Sequence, residues 1–245
     1  LSRCQRYDFK RIALETIAGH LRELTRAAVD RYVAEELGGL EQQTERFRYL
    51  FRRLLRSVQA VVDNVAEELA ASQFRPISFE LGFGSGQDLP PVELSVDGVT
   101  ISVTGFVDRV DGWVHDGRLY LRVVDYKTGK KSFDLTEVWN GLGLQMLLYL
   151  FTLERNGGHL FSQGTAAGVE YLWADPAPEN IIRPETDDAE PLQAQNYPLE
   201  GLLLDEPSIY HAMDTRGTGA FVPLSFSAKT GEPTAQSAKA RLADR

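Results

Sequence analysis

The chain has 245 residues, a net charge of −9, and 43% hydrophobic and 25% charged residues, the make-up of a globular protein long enough for one large domain or two small ones. No apolar run nears the roughly 18 residues of a membrane-spanning helix, and the single cysteine, Cys4, excludes a disulfide within the chain and suits a reducing cytosol. The acidic average argues against nucleic-acid binding, but Arg46, Arg48, Arg52, Arg53 and Arg56 crowd into residues 46–56.

The chain opens LSRCQRYDF, without Met and without the apolar stretch of a signal peptide, so it reads as a cytoplasmic fragment of a longer protein. Residues 10–37 read as a helix ended by Gly38-Gly39, and residues 41–72 as a longer one. In the second, Phe47, Phe51, Leu54, Val58, Val61, Val65 and Leu69 recur every three or four positions, an apolar stripe at helical period. Arg48, Arg52 and Arg56 stack four apart on another face, which is either solvated or turned toward DNA.

At Pro76 the pattern turns extended. ISFELGFG (77–84), PVELSV (91–96), TISVTGFVDRVD (100–111) and LYLRVVDYK (119–127) read as strands joined by Asp97-Gly98 and His115-Asp116-Gly117, an antiparallel meander. Residues 135–153 return to helical period, with Asp134 as N-cap. Val138, Leu142, Gln145 and Tyr149 fall on one face of that helix. AAGVEYLWAD (166–175) is a strand reached by this helical crossover. The Pro- and acid-rich 176–208 looks like an insertion, and 221–231 like a last strand and turn. The order predicts an α/β fold with a mostly antiparallel start and one crossover. The organisation expected is a helical N-terminal segment (1–74), a core (75–175), and an insertion with a partly irregular C-terminal extension (176–245).

The strand 119–127 ends apolar-to-polar at Val124-Asp125-Tyr126-Lys127. Period-two alternation puts Asp125 and Lys127 on one face. A hairpin turning at 114–117 brings Asp108 of the preceding strand opposite Asp125. Two carboxylates at close range repel and raise each other's pKa, and a divalent cation relieves this. Hard oxygen ligands point to Mg²⁺ or Mn²⁺. Lys127 is then placed to stabilise charge on a phosphate in transit, and Gln145 and Tyr149, one turn apart, to face the same site.

G-x-x-D-R (105–109), V-D-Y-K-T-G (124–129) and G-L-x-L-Q-M-L-x-Y-L (141–150) together resemble the RecB-type branch of the PD-(D/E)XK nucleases. Within that branch the chain is most similar to the carboxy-terminal nuclease domain of the AddB family, one of the two components of bacterial AddAB helicase–nucleases. The resemblance implies a restriction-endonuclease-like core, a mixed sheet flanked by helices. It implies a metal-dependent DNA exonuclease working with an AddA-type helicase–nuclease subunit in double-strand-break repair. By it, Asp108, Asp125 and the backbone carbonyl of Tyr126 are metal ligands, and Lys127 is the catalytic lysine. Gln145 and Tyr149 support the site, and Glu80 lines it. Apart from the resemblance, Arg48, Arg52 and Arg56, on a helix face that is either solvated or turned toward DNA, and Arg109 are the candidates for DNA contact. His20 is the only early histidine and the candidate for a further metal ligand. Cys4 is a candidate ligand of an iron–sulfur cluster whose other cysteines are not in this chain. Two other readings compete: a catalytically silent DNA-guiding scaffold, and a stand-alone nuclease of the same superfamily. Intact Asp108, Asp125 and Lys127 disfavour the scaffold.

Overall fold

The computed structural model describes residues 14–127, 133–173, 199–234 and 241–242. Cys4, the Thr128-Gly129 turn and residues 174–198 lie outside them. The described residues fall into two units divided after Ala70.

In the first unit, helix α1 (Leu14–Glu35) precedes a 3-10 turn (Leu40–Gln42) and helix α2 (Glu45–Ala71). Gly38 and Gly39 separate α1 from the turn, as expected. Leu21, Thr25, Val29 and Val33 repeat every fourth residue in α1 and are half-buried. Arg22 Nε lies 2.7 Å from Asp63 Oδ1 of α2, an exposed pair worth no more than about 1 kcal/mol. The apolar stripe of α2 is half-buried or buried except at Leu54, which is 58% exposed.

The second unit is built on a six-stranded sheet. Its strands are β1 (Arg75–Phe83), β4 (Gly105–His115), β5 (Arg118–Lys127), β6 (Gly164–Trp173), β7 (Glu200–Leu204) and β8 (Arg241–Leu242), in the order β1-β4-β5-β6-β7-β8. β1, β4 and β5 pair antiparallel, and β5 and β6 parallel. The run 100–111 is not one strand of a meander. It breaks at Thr104 into β3 (Val99–Val103) and β4, and β3 pairs with β2 (Val92–Val96) as a separate arm. Burial explains the break. Leu81, Phe83 and Val107 are core residues, so β1 pairs directly with β4, whereas Leu94, Val96, Val99 and Ile101 of the arm stay exposed.

The crossover from β5 to β6 is also broken, into α3 (Leu135–Trp139), α4 (Gln145–Asn156) and a short α5 (Gly158–Phe161). Gly141 (φ 78°) and Gly143 (φ 64°) take a left-handed conformation that a continuing right-handed helix excludes. Val138 and Leu142 therefore share no helical face with Gln145 and Tyr149. Asp134 does cap α3, its Oδ1 accepting from Thr136 N–H at 2.7 Å.

Each face of the sheet has its own core. On one, Leu81, Phe83, Val110, Leu121, Val123, Val169 and Tyr171 cluster with Met146, Tyr149, Leu150 and Leu153 of α4. On the other, Trp113, Tyr120, Ala167 and Leu203 cluster with Phe74, Val222 and Ile209, Tyr210 and Met213 of α6 (Pro207–Met213). Each fully buried large side chain contributes roughly 1.5–3 kcal/mol. Residues 221–231 form no strand: a single bridge joins Phe226 to Pro233, yet Phe221, Val222 and Leu224 are buried.

Candidate active site

β5 carries the polar ending through the sheet's centre. On its β4 side the ladder ends at Arg109 opposite Val124. Asp108, the residue before Arg109, lies just beyond that ladder, near enough for its charge to act on the Asp125 carboxyl. Asp125 is 2% exposed, so this strand end is not a solvent-facing one. Its Oδ2 lies 2.6 Å from Lys127 Nζ, and the lysine side chain is 28% exposed. The pair thus has a dry acid and a base that reaches the surface.

Burial pushes the Asp125 carboxyl above the usual carboxylate range. Lys127 pulls it down, and the charge of Asp108 adds to the push. Asp108 is not idle: its Oδ2 accepts from Tyr126 N–H at 2.9 Å, using the amide just past the end of the ladder.

The helix contributes a second pair. Gln145 Nε2 donates to the Tyr149 hydroxyl at 2.6 Å. They sit in the first turn of α4, so the i, i+4 spacing holds although the helix starts later than expected. The Tyr149 ring meets Phe83 edge-on, centroids 5.4 Å apart. A residue that sequence reasoning missed joins this pair to the acids. Tyr171 of β6 stands opposite Asp125 in the parallel ladder, with Lys127 Nζ 5.8 Å from its ring centroid. Burial, then the charges of Asp125 and Tyr149, push its phenol up to about 12, so it stays protonated at neutral pH. Its signal was the V-x-Y alternation in VEYLW, which puts Tyr171 on the face of Val169.

Arg109 corrects the expectation that it meets DNA. It stands opposite Val124, on the face that also carries Asp111 and Arg122, and that face is covered: Arg109 is 0% exposed. There its Nη2 lies 3.0 Å from Asp111 Oδ2. Arg122 holds the same oxygen through Nη2 at 2.5 Å and reaches Glu170 Oε2 through Nη1 at 3.0 Å. These four charged residues stand in the middle of apolar strands, and that misfit was visible in the sequence.

The other candidates are dispersed. Glu80 is exposed, with a left-handed φ of 49°, and the β1–β4 register places it across from Asp108. His20 is exposed on α1, its Nδ1 3.9 Å from Glu23. On α2, Arg52 and Arg56 are exposed, and Arg48 Nη2 lies 3.9 Å from Glu45.

The donor chemistry fits a hard divalent cation. Asp125 is buried, its carboxyl is raised, and the negative charge of Asp108 adds to the rise, so added positive charge would be favoured there. Among the described residues no group of three or more His, Cys, Asp or Glu side chains gathers, which leaves two carboxylates and main-chain oxygens as donors. Among the same residues, no helix is long and apolar enough to cross a membrane.

Three relatives are each named as the B component of an ATP-dependent helicase/deoxyribonuclease. That of Symbiobacterium thermophilum is 36% identical over 197 residues, 78% of this chain and 17% of that protein. That of Caldanaerobacter subterraneus is 33% identical over 211 residues, 82% of this chain and 18% of that protein. That of Lysinibacillus sphaericus is 31% identical over 224 residues, 87% of this chain and 19% of that protein. The chain therefore spans less than a fifth of the length of these relatives. A model of the PD-(D/E)XK nuclease superfamily matches residues 9–218, helices and sheet together, and with that coverage the chain belongs to the PD-(D/E)XK nuclease superfamily.

Proposed function

We propose that the chain is the nuclease domain of an AddAB-type helicase–nuclease: a Mg²⁺- or Mn²⁺-dependent DNA exonuclease that works in the cytoplasm beside an AddA-type subunit and processes double-strand breaks for recombinational repair. The observation that carries this is the buried Asp125, paired to Lys127 at 2.6 Å, with the charge of Asp108 acting on it. The names and coverage of the relatives support the assembly. An iron–sulfur cluster using Cys4 is proposed only for a longer polypeptide, since this sequence holds one cysteine.

Asp108, Asp125 and the Tyr126 carbonyl would hold the cation. When bound, the cation supplies charge to a phosphate and acidifies water. The residues do the rest. Lys127, the partly exposed member of its pair, faces the substrate side and stabilises the added negative charge of the transition state. Losing one such interaction typically costs about 10²–10³ in rate. Tyr149 accepts from Gln145, so its own O–H is oriented as a donor for a DNA phosphate. Protonated Tyr171 packs behind Asp125 and Lys127 and keeps water from their rear.

The test is Mg²⁺-dependent degradation of labelled linear DNA by the intact helicase–nuclease, with the partner's own nuclease inactivated. Asp125→Ala is expected to lower the rate on its strand by more than about a hundred-fold. Lys127→Ala should cut as poorly while still binding Mn²⁺, because its role lies in the transition state. A wild-type rate for Asp125→Ala would return the domain to the scaffold reading.

A further inference from the structure

The buried charges on the non-catalytic face need an explanation that stability does not supply. Arg109, Asp111 and Arg122 are 0% exposed and Glu170 is 3% exposed. Desolvating each ion costs several kcal/mol, and a well-packed apolar set of the same volume often serves stability as well or better. The network does, however, lead somewhere. From Glu170 on β6 it runs through Arg122 on β5 to Asp111 and Arg109 on β4. From Arg109 it crosses back to β5, where Nη1 donates to the Tyr126 hydroxyl at 2.8 Å. The guanidinium carbon also lies 5.7 Å from the Tyr126 ring centroid.

Tyr126 is the residue between Asp125 and Lys127. It stands just past the end of the β4–β5 ladder, so that pairing to β6 continues while the edge facing β4 has lost its main-chain partner. Two interactions replace that pairing. Asp108 takes the Tyr126 N–H from one face, and Arg109 takes the hydroxyl from the other. Rotation of the Tyr126 peptide would swing both neighbouring side chains, and displacements near 1 Å cost up to about a hundred-fold in rate.

We propose that Arg109, braced by Asp111, Arg122 and Glu170, is a positioning residue that holds Tyr126 and so sets the aim of Asp125 and Lys127. The inference rests on the nuclease reading above for its kinetic consequence. Its geometric consequence, a weaker cation site when the clamp is cut, stands apart from activity.

The probe is Tyr126→Phe, which keeps the ring over Arg109 and removes only the acceptor, made in the full-length polypeptide assembled with its partner. The expected result is a kcat roughly ten-fold lower, an unchanged KM for DNA, and Mn²⁺ affinity by calorimetry several-fold weaker. Arg109→Lys, which keeps the charge toward Asp111 but lacks the fork that reaches Tyr126, should move both readouts the same way. It also serves as the probe if Tyr126→Phe fails to fold. A purely structural role would lower the melting temperature and leave kcat and Mn²⁺ affinity untouched well below it, and that outcome overturns the proposal. If Asp125→Ala cuts at the wild-type rate, the nuclease reading falls. The clamp is then judged on Mn²⁺ affinity alone, and an unchanged affinity in both variants overturns it.

Discussion

At Asp125 the chain gives up stability for chemistry. The carboxyl is held above its ordinary value of 3.8, first by burial, with Lys127 opposing and Asp108 adding to the rise. The folded chain therefore binds this proton more tightly than the unfolded chain does. As pH rises from 3.8 through the higher folded value, only the unfolded chain gains freely by ionising, so stability falls across that window. Asp125→Asn, studied in chelator, should melt above wild type at neutral pH, with the gap closing as pH drops below 3.8. A melting temperature below wild type at neutral pH would mean that the Lys127 pair outweighs desolvation. The two-residue spacing of Asp125 and Lys127, and the hairpin of β4 and β5, were legible in the sequence because strand period and turn position are local properties. Tyr171 was not. Its place beside Asp125 depends on a parallel ladder closed across the whole crossover.

Among the elements, β7 shows how tightly the far side of the sheet is built. A Cβ at Gly201 would lie 2.2 Å from the Val169 carbonyl oxygen of β6, and backbone cannot step aside as a side chain can. Gly201→Ala should force the strands apart at a cost of about 1–3 kcal/mol, or roughly 2–4 °C of melting temperature per kcal/mol at this size. A melting curve superimposable on wild type would show that β7 yields without loss. The crossover helix teaches a related lesson. Its apolar period ran unbroken from 135 to 153, but Gly141 and Gly143 lie in left-handed geometry, and periodicity alone does not weigh two glycines against it. The Gln145–Tyr149 pair keeps its spacing because both residues fall after the break, in α4.

For the whole molecule, a net charge of −9 sits uneasily with a DNA substrate, and any attraction must come from local basic surface. With Arg109 buried, the arginines of α2 are the remaining candidates among those expected to meet DNA. Changing Arg48, Arg52 and Arg56 together to glutamine should weaken DNA binding. It should also flatten the dependence of log K on log salt by about 0.9 for each phosphate no longer neutralised. Fluorescence anisotropy of labelled duplex across a salt series reads this, and an unchanged slope would make the three a solvated helix face.

The sequence by itself determined the α/β class, the strand carrying Asp125 and Lys127, the Asp134 cap and the break after α1. All of these follow from residue period, turn chemistry and charge over a few neighbouring positions. Only the tertiary structure decided that Arg109 is buried and that β1 bypasses the β2–β3 arm to pair with β4. Only it placed Tyr171 beside Asp125. Alternation tells which side of a strand a side chain leaves from. Whether that side is dry depends on what covers it, and the residues that cluster over Trp113 and Tyr120 on Arg109's face come from α6, far along the chain from β4.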